Sequence, residues 1–101
     1  MRIVVLLLLG LAATALRAHA HEAPTGWSYP RECCSNQDCR MVAVGDVHEG
    51  ADGYLIRQSG ETVPYGDSRV KDSPDGEFHW CAVSYEGTDY TTCLFVPPRG
   101  F

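Results

Sequence analysis

Three histidines and five cysteines carry most of the chemistry open to this chain: His21, His48 and His79, with Cys33, Cys34, Cys39, Cys81 and Cys93. The sharpest arrangement starts at the amino end. A cut after Ala20 would make His21 the first residue, and its α-amino group and imidazole would then chelate one metal together. A second ring from His48 or His79 gives a nitrogen set that suits Cu(II), which favours square-planar or tetragonal coordination. The competing reading is a histidine left in a solvated tail. His79-Trp80-Cys81 is the second arrangement, because residues two apart on a strand face the same side and a thiolate with an imidazole suits zinc or copper. An exported cysteine is normally oxidised, so the stronger expectation is that His79 packs beside a bridge.

Other chemistries find less support. Cys33-Cys34-x4-Cys39 does not match zinc-finger or zinc-ribbon spacing, and neither Cys-x-x-Cys nor Cys-x-x-Cys-His occurs. Nucleophilic catalysis needs a nucleophile with a positioned base, and no such grouping is recognisable. Asp67, Asp72, Asp75 and Glu77 do not follow the regular calcium-loop spacing and read as a solvated acidic loop. The aromatic residues, in so small a domain, must mostly serve as core. The expectation is therefore no catalytic residue and no cofactor, with copper as the alternative.

The elements that position these groups begin after residue 20. Residues 1–20 have the layout of a secretory signal: Arg2, an apolar run from Ile3 through Leu16, and the small-residue exit Ala18-His19-Ala20. The run is broken by Gly10 and Thr14 and is short of the roughly 20 apolar residues that span a bilayer, so stable membrane insertion is not expected. Residues 21–101 then form one domain with six Lys and Arg against thirteen acids, a net charge of −7. An acidic domain without a basic cluster lacks the footprint that nucleic acid requires. So short a chain buries too little surface for a core alone, and its five cysteines read as a disulfide framework with one thiol left over.

Along the chain, His21 to Tyr29 is rich in breakers and should lie extended, tucking in Trp27 and Tyr29, while Cys33 to Cys39 makes one helical turn or a tight loop. Short apolar runs at 41–47, 54–58 and 61–65, separated by Asp52-Gly53 and Ser59-Gly60, predict a three-stranded antiparallel meander. Residues 66–76 read as a surface loop closed by the Pro74-Asp75-Gly76 turn. A last hairpin joins 77–85 to 90–96 around 86–88 and sets Cys81 opposite Cys93, the first expected bridge. The second would take Cys39 with Cys33 or Cys34; alternatively, Cys33 or Cys34 ties the N-terminal segment to Cys81 or Cys93.

The motifs GWSYPRECCSNQDC, SPDGEFHWC and CLFVPP together resemble a group of small exported alphaproteobacterial proteins. That group has a leader, a His-x-Trp-Tyr-like stretch, a Cys-Cys-x4-Cys cluster, an SPDG-x-x-His-x-Cys segment and a closing Cys-aromatic-Val-Pro strand. The resemblance covers most of 21–98 and implies a periplasmic or secreted location; it supplies no catalytic residues. The combined reading is a small, mainly β domain of antiparallel hairpins stapled by about two disulfides. It would act without catalysis as a binding or structural module toward an envelope protein or ligand, with a mixed disulfide through the odd Cys33 or Cys34 as a further route to a partner.

Overall fold

Aromatic and β-branched residues fill positions 78–96 with few breaks, and the two longest strands form there. The computed structural model describes residues 22–34 and 38–98; the expected signal segment, His21, residues 35–37 and the last three residues lie outside the described residues. In chain order the described elements are α1 (Arg31–Cys34), β1 (Asp38–Val42), a 3-10 turn at Val44–Asp46, β2 (Val47–Glu49), β3 (Tyr54–Ile56), β4 (Glu61–Val63), β5 (Val70–Asp72), β6 (Phe78–Tyr85) and β7 (Thr88–Val96). They make a four-stranded sheet, ordered β1-β6-β7-β5, and a three-stranded sheet, ordered β2-β3-β4.

The β6–β7 hairpin is buried on both faces. Phe78, Trp80, Leu94 and Val96 point one way and pack on Val47, Tyr54, Ile56 and Val63 of the small sheet. Cys81, Cys93 and Phe95 point the other way, where Ala23, Tyr29 and Cys33 cover them with Trp27 and Cys39 at the margin. The protein is thus three layers: a non-sheet cover over residues 22–34, the four-stranded sheet, and the meander.

The meander is β2-β3-β4, antiparallel throughout, as the glycine turns predicted, with shorter strands. Gly53 is required where β3 begins: its φ is +152°, and a Cβ there would stand 2.2 Å from the carbonyl oxygen of Val63. The expected first strand over 41–47 divides in two. Asp46 breaks it by accepting from the Ala43 N–H at 3.1 Å and stabilising the 3-10 turn, so β1 runs up to Val42 and pairs with β6 instead. The expected loop 66–76 also contains β5, which runs parallel to β7. Beside it, Arg69 bonds Asp67, Glu61 and the Thr91 carbonyl, while the Thr91 N–H donates to Glu61. These side chains satisfy backbone groups of β7 on the edge that β5 does not reach. Burial opposes the Glu61 charge, but the Thr91 and Arg69 bonds outweigh it and hold the carboxyl below its usual range.

Gly53→Ala should lower the denaturant-unfolding free energy by about 2 kcal/mol or more, since the new methyl meets the Val63–Pro64 backbone. Gly66→Ala, where a Cβ meets nothing within 4 Å, should stay within about 0.5 kcal/mol of the parent. Equal midpoints for the two variants would refute the close approach at Gly53.

Candidate functional site

The bridges join Cys33 to Cys93 and Cys39 to Cys81. The expected Cys81–Cys93 bond is thereby corrected, although the two residues do face each other in the β6–β7 register. The expected pairing of Cys39 with Cys33 or Cys34 is corrected with it. Cys81 has a cysteine opposite it on each side, Cys39 on β1 and Cys93 on β7, and bonds the one on β1. Cys93 then reaches across to α1, the alternative in which an N-terminal cysteine is tied to the last hairpin. These two bridges use four of the five cysteines, and Cys34 is the one left over.

On the same face as the sulfurs, Asp75 gathers a polar network. Pro74-Asp75-Gly76 turns the chain before β6, and there Oδ1 of Asp75 accepts from Ser73 Oγ at 2.7 Å and from the Glu77 N–H at 3.0 Å. Oδ2 accepts from Thr25 Oγ1 at 2.5 Å and from Trp27 Nε1 at 2.9 Å. His79 Nε2 lies 2.9 and 2.8 Å from the two oxygens. Burial works against the Asp75 charge, yet the bonds from Thr25, Ser73, Trp27 and His79 more than offset it and hold the carboxyl far below the usual carboxylate range.

An ionised carboxylate only accepts, so Nε2 of His79 donates to Asp75, and Nδ1 pairs with the Tyr29 hydroxyl at 2.8 Å. Trp27 stands edge-on to His79 and Tyr29, with ring centroids 4.9 and 4.8 Å away. The order Asp75–His79–Tyr29 is that of an acid–base triad with a phenol in the nucleophile's place. Its terminal hydroxyl is buried, however, and His79 is 0 % exposed, so the arrangement fastens the cover to β6.

His79 and Cys81 do share one side of β6, as their spacing predicted. Both ring nitrogens of His79 are engaged and Cys81 is bonded, which leaves neither of them to a metal in this arrangement. His48 lies exposed on β2, in the other sheet, and His21 is outside the described residues. Among the described residues no group of three His, Cys, Asp or Glu side chains is placed to hold a metal ion. The sequence reading missed Asp75, Thr25 and Ser73 as site residues. The available signal was a buried-strand histidine four residues after an aspartate in a tight turn.

No family model matches this chain, and comparison with curated proteins and with solved structures likewise gives no match.

Asp75→Asn should cost about 3 kcal/mol, because an amide turns half its edge from acceptor to donor among groups that all donate. Tyr29→Phe, which strands the buried Nδ1 of His79, should cost about 1–2 kcal/mol. The folded Asp75 carboxyl titrates below its unfolded counterpart, whose pKa is about 3.9. Its stabilisation is therefore complete above about pH 4 and is lost as the pH falls through the folded value. Asp67 acts in the same direction: hydrogen bonds from Arg69 bring its carboxyl down to about 2. The parent should lose stability steadily below about pH 4, and Asp75→Asn should be less stable at pH 7 with a shallower acid slope. Identical acid slopes would show that Asp75 is not a held carboxylate.

Proposed function

We propose that the mature chain is exported to the periplasm or the exterior and works there as a binding or structural module without catalysis of its own. The observation that carries this reading is that the groups with chemical reach are spent inside the fold. Four cysteines are in bridges, and Asp75, His79 and Tyr29 satisfy one another, with His79 and Tyr29 buried. Two disulfides are consistent with an oxidising compartment, and among the described residues no helix is long and apolar enough to cross a membrane. What remains for a partner is surface. Tyr85 and Tyr90, 65 % and 49 % exposed, stand at the turn end of the β6–β7 hairpin.

Intact mass of the exported, unreduced protein tests this reading. A chain that starts at His21 and is lighter by the four hydrogens of two bridges supports an exported, stapled module. A mass that retains the leader or shows no bridges overturns it. Copper kept under native conditions and lost in His48→Ala would instead favour the copper alternative, in which the His21 terminus and His48 act together.

The bridge pairing also favours a second route to a partner, a mixed disulfide through Cys34, the cysteine the two bridges leave over. Native unreduced protein should then titrate with one equivalent of a thiol reagent. Any reducible covalent adduct isolated with it should vanish in Cys34→Ser. An adduct that survives the substitution would refute this route.

A further inference from the structure

Cys81 pairs in register with Cys39 of β1 on one side and with Cys93 of β7 on the other. Cys33, Cys81 and Cys93 share one buried cluster, with Cys39 packed at its margin. Directly opposed residues on antiparallel strands carry Cβ atoms about 4.5–5.5 Å apart, close to the separation a disulfide spans. Two partners are therefore within reach of Cys81 while the hairpin keeps its register. One is bonded to it, and the other is bonded to the cover.

We infer that the four bridged cysteines form an exchange relay, through which an external dithiol that reduces one bridge unpins both the cover at α1 and strand β1. Cys39 is the entry point, since it is half-buried while Cys33, Cys81 and Cys93 are buried. A thiolate of the dithiol attacks Sγ of Cys39; the Cys39–Cys81 bond breaks and Cys81 leaves as a thiolate. Apolar surroundings disfavour that thiolate, and the electrophile opposite it is Sγ of Cys93. Attack there forms Cys81–Cys93, breaks Cys33–Cys93 and releases Cys33, which takes up a proton. The second thiol of the dithiol then displaces Cys39 from the mixed disulfide as a free thiol. In sum, the dithiol gives up two electrons and two protons to Cys33 and Cys39, and one bridge remains.

That remaining bridge lies within a hairpin whose strands the backbone ladder already holds side by side. Cys33 sits on a four-residue helical turn and has no such ladder to return it to Cys93, so the relay runs toward the hairpin bond. The bridges it replaces span 60 and 42 positions, and the restraint a bridge places on the unfolded chain grows with the loop it closes. One two-electron event thus exchanges a restraint between layers, Cys33–Cys93, and one between the β1 and β6 strands, Cys39–Cys81, for a single one inside a hairpin, and this goes beyond the binding role proposed above.

Limited reduction tests the relay. The full mature chain carrying Cys34→Ser, so that only bridged sulfurs take part, is treated with one equivalent of dithiothreitol, quenched with acid, alkylated and mapped by peptide mass. The expected predominant single-bridge species joins Cys81 to Cys93, with Cys33 and Cys39 alkylated. A predominant Cys33–Cys93 species with Cys39 and Cys81 alkylated would overturn the relay, as would a retained Cys39–Cys81 bond or the absence of any single-bridge species. Cys39→Ser, oxidised during export, provides an independent reading without added reductant. It should contain Cys81–Cys93 and an alkylatable Cys33, and a Cys33–Cys93 bond beside a free Cys81 would count against the proposal. Hydrogen exchange on the singly reduced chain should rise over 22–34 and 38–42 while 78–96 stays protected; a uniform rise would contradict the selective release of the cover and β1.

Discussion

Both faces of the β6–β7 hairpin are apolar, and a chain this short must find a cover for each. Burial of one large apolar side chain is worth roughly 2 kcal/mol, so Phe78, Trp80, Leu94 and Val96 on one side and Phe95 on the other make the hairpin the main source of stability. Each cover meets the demand differently. The meander is a sheet with its own ladder and can be held by packing. The segment 22–34 has one isolated bridge, Glu22 to Ser28, and one helical turn, so its backbone does little to hold it in place. It is fastened from outside itself.

The fastening has two parts, one near each end of the segment. Toward its C-terminal end, Cys33 is bonded to Cys93, and its carbonyl accepts from the Thr92 hydroxyl at 2.8 Å. Toward its N-terminal end, Thr25 and Trp27 donate to Asp75. Buried polar groups are costly unless they find partners, and here the partners are the gain. A carboxylate that must be satisfied recruits donors from the cover, from its own turn and from β6 at once. The ring of His79 extends that demand to Tyr29, whose body fills the cover while its hydroxyl completes the chain of bonds.

The sequence made the fold class, the meander and the final hairpin legible, since each rests on local alternation and turn chemistry. The Cys81–Cys93 opposition was read correctly for offsetting reasons. The turn is two residues, Glu86-Gly87, with φ of 50° and 78°, one fewer than expected, and a bulge that leaves Thr92 unpaired restores the register before Cys93. The bond itself was misread because opposition is necessary for a cross-strand bridge but does not select between two opposed neighbours. That choice depends on β1, whose pairing with β6 spans some forty residues and leaves no local mark. Asp75 looked like a turn residue because it is one; its second role needs Thr25 and Trp27, fifty positions away, and periodicity carries no such information.

Redox state and architecture are consequently the same question for this protein. With both bridges intact, β6 is tied to β1 within the sheet and β7 to α1 across the layers, so the contact between cover and sheet near the sulfurs is covalent as well as apolar. Without them the meander keeps its packing, while the cover depends on the Asp75 network and a few ring contacts. A restraint that closes a loop of this length is worth on the order of 3–5 kcal/mol, comparable to the whole stability of many small domains. A compartment that keeps thiols reduced would therefore remove what holds the least self-sufficient layer, expose Phe95 and the cysteine face of the hairpin, and leave an apolar sheet without its cover.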